Sequence, residues 1–93
     1  MYYYIVETGE SLIKVGITKN LEQRLRSYRT ANTQLVYHKT YALNCDRREA
    51  GRIERTIMSE LRRWYTCRSE TVESGSLLRV ERIVDGLMEE LLV

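Results

Sequence analysis

Glu54 interrupts an apolar pattern. At about 100° per residue, a helix over 47–65 gathers Ala50, Ile53, Ile57, Met58, Leu61 and Trp64 into one arc. Glu54 falls near the middle of that arc, while Arg48, Arg52, Arg55, Arg62 and Arg63 lie on the opposite side. Burying an unpaired carboxylate costs several kcal/mol, so something must offset it. A divalent cation at a metal or catalytic site would do so directly. An ion pair with Arg24 or Lys14, or a helix that overhangs the sheet and lets Glu54 reach solvent, would do so as well. Arg24 is a milder case of the same kind. It lies roughly 40–60° from the Leu21, Leu25 and Tyr28 stripe of its own helix. An arginine flanking a buried stripe either reaches into a cleft, where its planar fork suits a phosphate, or covers apolar area with its stem. Arg26 and Arg29 lie further round, toward solvent.

These side chains need elements to hold them. YYYIV (2–6) and LIKVGIT (12–18) are rich in β-formers and flank the turn chemistry of ETGES, which reads as a hairpin. Asn20 and Gln23 form a capping-box-like pair that opens a helix over about 21–30. QLVYHKTYAL (34–43) reads as a third strand. Asp46 and Glu49 open the long helix in the same way. TCRSETVESGS (66–76) is polar and reads as a loop with room for a short extended piece. A last helix over about 77–92 repeats Leu77, Val80, Val84, Leu87 and Leu91 at helical spacing. The order ββαβαα predicts an α+β domain: a small three-stranded, largely antiparallel sheet flanked by helices.

Length and composition agree. Ninety-three residues allow one domain with one modest core. Apolar residues at 43% and charged residues at 30% describe a globular chain, with no run of about 18 apolar residues to span a membrane. MYYYIVET has neither the basic region nor the cleavage site of a signal peptide, and a cytoplasmic setting is expected. Cys45 and Cys67 lack metal-site spacing and are expected as free thiols in a reducing compartment. Residues 1–68 hold 13 Lys or Arg against 7 Asp or Glu, a net +6; residues 69–93 hold 2 against 6, a net −4. A basic body suits a polyanion, nucleic acid above all, and equally describes a solvated surface with an acidic helix packed on it.

The motifs resemble the GIY-YIG endonuclease superfamily, in its short phage- and prophage-associated branch. YYYIV stands for the first motif with Tyr3 in register, and KVG (14–16) for the second. GITKNLEQR matches the glycine-to-helix run that ends on the active-site arginine, here Arg24. Glu54 matches the metal-binding glutamate, and the match spans roughly 2–65. Lys14 stands where the second motif carries tyrosine, and the late asparagine has no clear counterpart in 66–93. SETVES supplies the glutamate, Glu70, of the branch's Glu-Trp-Phe-like motif, but neither aromatic.

The resemblance implies metal-dependent hydrolysis of phosphodiester bonds, with DNA as the expected substrate. Glu54 would hold one Mg²⁺ or Mn²⁺, and Arg24 would clamp the phosphate. Tyr3 would orient or deprotonate water, with Lys14 as helper or substitute. Arg26, Arg29, Arg52 and Arg55 would follow the nucleic-acid backbone. His38 is either a general base or ordinary strand filler, and Tyr28 and Tyr37 either line the cleft or fill the core. The competing expectation is a catalytically weak or inactive module of the same fold. It would bind nucleic acid or a protein partner, as a phage regulatory or anti-defence factor. The final helix would either close the core or support a homodimer.

Overall fold

The computed structural model describes residues 1–8, 12–31, 35–73 and 76–92, without the side chains of 31 and 35–38. Its elements are β1 (Tyr2–Thr8), β2 (Ile13–Thr18), α1 (Leu21–Ala31), β3 (Leu35–Ala42), α2 (Arg47–Trp64), β4 (Thr66–Arg68), β5 (Thr71–Glu73) and α3 (Leu77–Leu91). They form one antiparallel sheet in the order β3-β1-β2-β5-β4. The α+β class, the three helices and the first three strands follow the sequence expectation.

The sheet has five strands rather than three, and the difference lies in the segment expected to be a loop. Arg68 and Thr71 pair across a two-residue turn in which Ser69 takes a positive φ of 52°. β5 then adds to β2 through Ile13↔Val72 and Lys14↔Thr71. Val72 is fully buried there. Three-residue strands are too short for period-two alternation to appear in sequence; they persist because β2 offers an edge and the core accepts Val72.

Alternation along β1 and β2 sends neighbouring side chains to opposite faces. Tyr3, Ile5, Ile13 and Val15 join the main core with Ala50, Ile53, Ile57 and Leu61 of α2 and Val80, Val84 and Met88 of α3. Tyr4 and Val6 point the other way, against Tyr28, Leu21 and Leu25 of α1. The sheet is thus covered on both faces. Asn20 Oδ1 accepts the Gln23 amide at 3.0 Å, and Asp46 Oδ1 the Glu49 amide at 2.9 Å, so both caps form as expected. Trp64 departs from the apolar arc: it is 65% exposed, because α2 ends there, past the last residue it buries, Leu61.

β3 is tied to α3 by polar contacts. Lys39 Nζ lies 3.0 Å from Glu81 Oε1 and 2.9 Å from Asp85 Oδ1, which also accepts the Tyr41 hydroxyl. Burial would push the Asp85 carboxyl up, but the Tyr41 and Lys39 hydrogen bonds outweigh it and hold the group below its ordinary range. The acidic final helix therefore closes the core. Cys45 and Cys67 are free and half-buried. No helix among the described residues is long and apolar enough to cross a membrane.

Candidate functional site

Gly16 sits opposite Tyr4 in the β1–β2 ladder. A Cβ on Gly16 would lie 2.7 Å from the Tyr4 hydroxyl oxygen and 3.1 Å from Cζ. The glycine therefore admits the Tyr4 ring across the strand pair. That ring ends 2.8 Å from the Tyr28 hydroxyl, with the two rings edge to face at 5.8 Å. The Tyr4 hydroxyl also donates to Glu70 Oε2 at 3.4 Å. Glu70 lies on the β4–β5 turn, where its carbonyl accepts the Val15 amide at 2.9 Å. The left-handed Ser69 beside it is the only non-glycine residue with positive φ among those described.

Lys14 shares this face with Tyr4 and Gly16, two ladder positions away. Its ammonium lies 5.8 Å from the centre of the Tyr28 ring and 3.4 Å from Thr71 Oγ1. Arg24, exposed on α1, lines a small cleft with Thr18, Asn20, Gln23 and Ser27. Its positive charge also acts on both tyrosines. Burial drives the Tyr4 hydroxyl well above the ordinary tyrosine range, helped by its bond to Tyr28, while Arg24 pulls it down. Tyr28 is likewise raised, chiefly by burial.

Glu54 lies on the α2 side. It is half-buried and opens into a cleft of about 480 Å³ lined by Val15, Arg55, Met58, Ser59, Arg62, Ser69 and Glu70. Glu54 forms no hydrogen bond or ion pair among the described residues. It sits at the border of the buried stripe formed by Ala50, Ile53, Ile57 and Leu61, not near the middle of the arc as the periodicity placed it, because Met58, which extends the arc beyond it, is only half-buried. The ion pair considered from the sequence, with Arg24 or Lys14, does not form: Lys14 and Arg24 belong to the α1 face. Glu70 lines the Glu54 cleft while bonding to Tyr4, and so joins the two sides.

Tyr3 is set apart from Lys14 and Gly16. It is 1% exposed in the main core, its ring 6.2 Å from that of Tyr41. Burial pushes its hydroxyl far up, and the nearby Glu54 charge adds to this. The tyrosine that shares a face with Lys14 is Tyr4, one residue on. Sequence reading missed Tyr4 in this role. The available signal was period two: counted from Gly16 and Lys14 across the hairpin, it selects Tyr4 and Val6.

The basic residues expected to follow a nucleic-acid backbone divide between the faces. On α1, Arg26 pairs with Glu22, and Arg29 lines a cleft with Lys19 and with Tyr2 of β1. Arg52 pairs with Glu49, whereas Arg55 stands beside Glu54. His38 is opposite Val6 in the ladder, and Tyr37 opposite Glu7; their side chains lie outside the described residues. No group of three or more His, Cys, Asp or Glu residues gathers among the described residues. A hard cation at Glu54 would draw the rest of its shell from water and phosphate oxygens, a donor set that suits Mg²⁺.

No curated protein and no solved structure significantly matches the chain. A model of the T5orf172 domain, a phage-associated and nuclease-related family, matches residues 1–87. The match takes in both strands of the hairpin, all of α1 and α2 and most of α3, and on it the chain belongs to the T5orf172 domain family.

Proposed function

We propose that this protein is a metal-dependent endonuclease of GIY-YIG type that hydrolyses phosphodiester bonds in nucleic acid, DNA first of all. One observation carries the reading. Glu54 is a half-buried carboxylate without a cationic partner among the described residues, and it opens into a cleft with Arg55 and Arg62. A structural ion pair would supply that partner, and a residue kept only for packing would be apolar.

The residues divide the work. Glu54 would hold Mg²⁺ or Mn²⁺, which when bound neutralises charge on the phosphate oxygens. Arg24 would grip phosphate from the α1 side and Arg55 from the α2 side. Tyr4, kept neutral by burial, would donate its one hydroxyl proton to Glu70 and orient it, while accepting from the Tyr28 hydroxyl. Lys14 would supply positive charge where the resemblance calls for a phenol.

Purified protein should nick supercoiled plasmid with Mg²⁺ or Mn²⁺. Glu54→Ala and Arg24→Ala should each lose about 10²-fold or more in rate, the scale for removing a group that stabilises developing charge. Plasmid left intact by wild type across both metals would falsify the reading for DNA.

One observation favours a second reading, a module that binds nucleic acid without cutting it. Tyr3 and Tyr4 are each 1% exposed, so neither phenol reaches solvent. Salt-sensitive DNA binding with no cleavage under any metal would select it.

A further inference from the structure

Trp64 is the chain's single tryptophan and is 65% exposed at the end of α2. Its indole donates from Nε1 to Glu60 Oε1 at 3.2 Å, which anchors the exposed ring. The charge of Glu60 is already answered by Arg63, 3.2 Å from its other oxygen. Across an open groove of about 410 Å³, α3 sets Arg79 and Arg82 against the tryptophan. Neither arginine forms an ion pair among the described residues, and α3 has no acidic residue in its first turn. Residues 69–93 are net acidic, yet their only two basic residues are these two. They stand three apart, on one side of the helix.

We propose that Trp64, Arg79 and Arg82 form a stacking site for an unpaired nucleobase and its flanking phosphates. A flat aromatic face takes any base, while a guanidinium holds the phosphate beside it or stacks in turn. Uncompensated positive charge around the ring favours a polyanion over an apolar partner. The site shares no lining residue with the Glu54 cleft. Ten residues of helix separate Trp64 from Glu54, about 15 Å along the axis. A single strand engaged in the cleft therefore has a second holding point within reach. The proposal rests on the nucleic-acid reading above for the class of its ligand, and on separate residues for its geometry.

Trp64 reports on its own site, because no other tryptophan contributes emission. The full chain is titrated with oligothymidylate and with oligouridylate at low salt, following tryptophan emission. A labelled oligonucleotide is followed in parallel by anisotropy. Quenching should saturate together with the anisotropy. Trp64→Ala should weaken the anisotropy-detected binding about 10-fold, and Trp64→Phe should recover part of it. Arg79→Gln with Arg82→Gln should lower the slope of log affinity against log salt by about 1.4, two phosphate contacts on a single strand. Binding by anisotropy without quenching, or a salt slope unmoved in the double arginine variant, overturns the site and leaves the cleft reading standing. Quenching without plasmid cleavage supports the site while the catalytic reading fails. No binding by either measure overturns the site. So does self-association, seen by sedimentation, that Trp64→Ala abolishes.

Discussion

The hydroxyls of Tyr4 and Tyr28 lie 2.8 Å apart, joining β1 to α1 across the buried face of the sheet. Only one of the two can donate in that bond, and Tyr4 also reaches Glu70 Oε2 at 3.4 Å. A chain from Tyr28 through Tyr4 to Glu70 thus runs from α1 to the edge of the Glu54 cleft.

Tyr4→Phe and Tyr28→Phe should each destabilise the protein by about 1 kcal/mol, as loss of a buried hydrogen bond does. The double variant should cost less than the two together, by about 0.5 kcal/mol or more. Denaturant unfolding of the four proteins measures this. Strict additivity would show that the hydroxyls do not interact in solution.

Gly16→Ala should cost about 1–3 kcal/mol, because the new methyl group meets the Tyr4 hydroxyl oxygen at 2.7 Å and its ring carbon Cζ at 3.1 Å, and the side chain must shift. In the Tyr4→Phe background the closest of those atoms is gone. The penalty should fall there, and an unchanged penalty would place its origin elsewhere.

Glu54→Leu should leave the melting temperature unchanged or raise it, since a half-buried carboxylate without a partner among the described residues gives way to apolar area. The same variant should lose plasmid nicking. A loss of about 3 kcal/mol or more would instead mark a structural ion pair.

Stability should fall at both ends of the pH range. Asp85 is held below its ordinary 3.8, so its contribution is complete above that value and is lost as pH falls through the lower folded-state value. Lys39 is held above its ordinary 10.5, mainly by hydrogen bonds to Asp85 and Glu81. Its contribution is complete below 10.5 and is lost as pH climbs toward the folded-state value. Asp85→Asn should flatten the acid limb of a melting-temperature profile. An acid limb identical to wild type would exclude Asp85 as its source.

Much of the architecture is readable from local chemistry. Asn20 with Gln23 and Asp46 with Glu49 announce helix starts because a cap is made within four residues. The stripes of α1, α2 and α3 follow from a 3.6-residue period, and the first hairpin from β-branched and aromatic runs. What failed locally did so where a partner decides. β4 and β5 are three residues each and exist because β2 presents an edge to them. Trp64 keeps the helical period of a core residue yet projects past the core, because where the opposing surface stops is not a property of α2.

The candidate site divides in the same way. Sequence by itself determined that Glu54 falls among the apolar residues of its helix, that Arg24 flanks another stripe, and that a strand carrying Gly16 precedes that helix. These are periodicities, carried by each element alone. Tertiary structure decided which tyrosine joins Lys14, because strand register sends Tyr3 to the core and Tyr4 over Gly16. It also decided that Arg24 and Glu54 stand on opposite faces of one sheet, with Glu70 bridging at its edge. Glu70 is 66 residues from Tyr4, and no short-range pattern encodes a hydrogen bond over that separation.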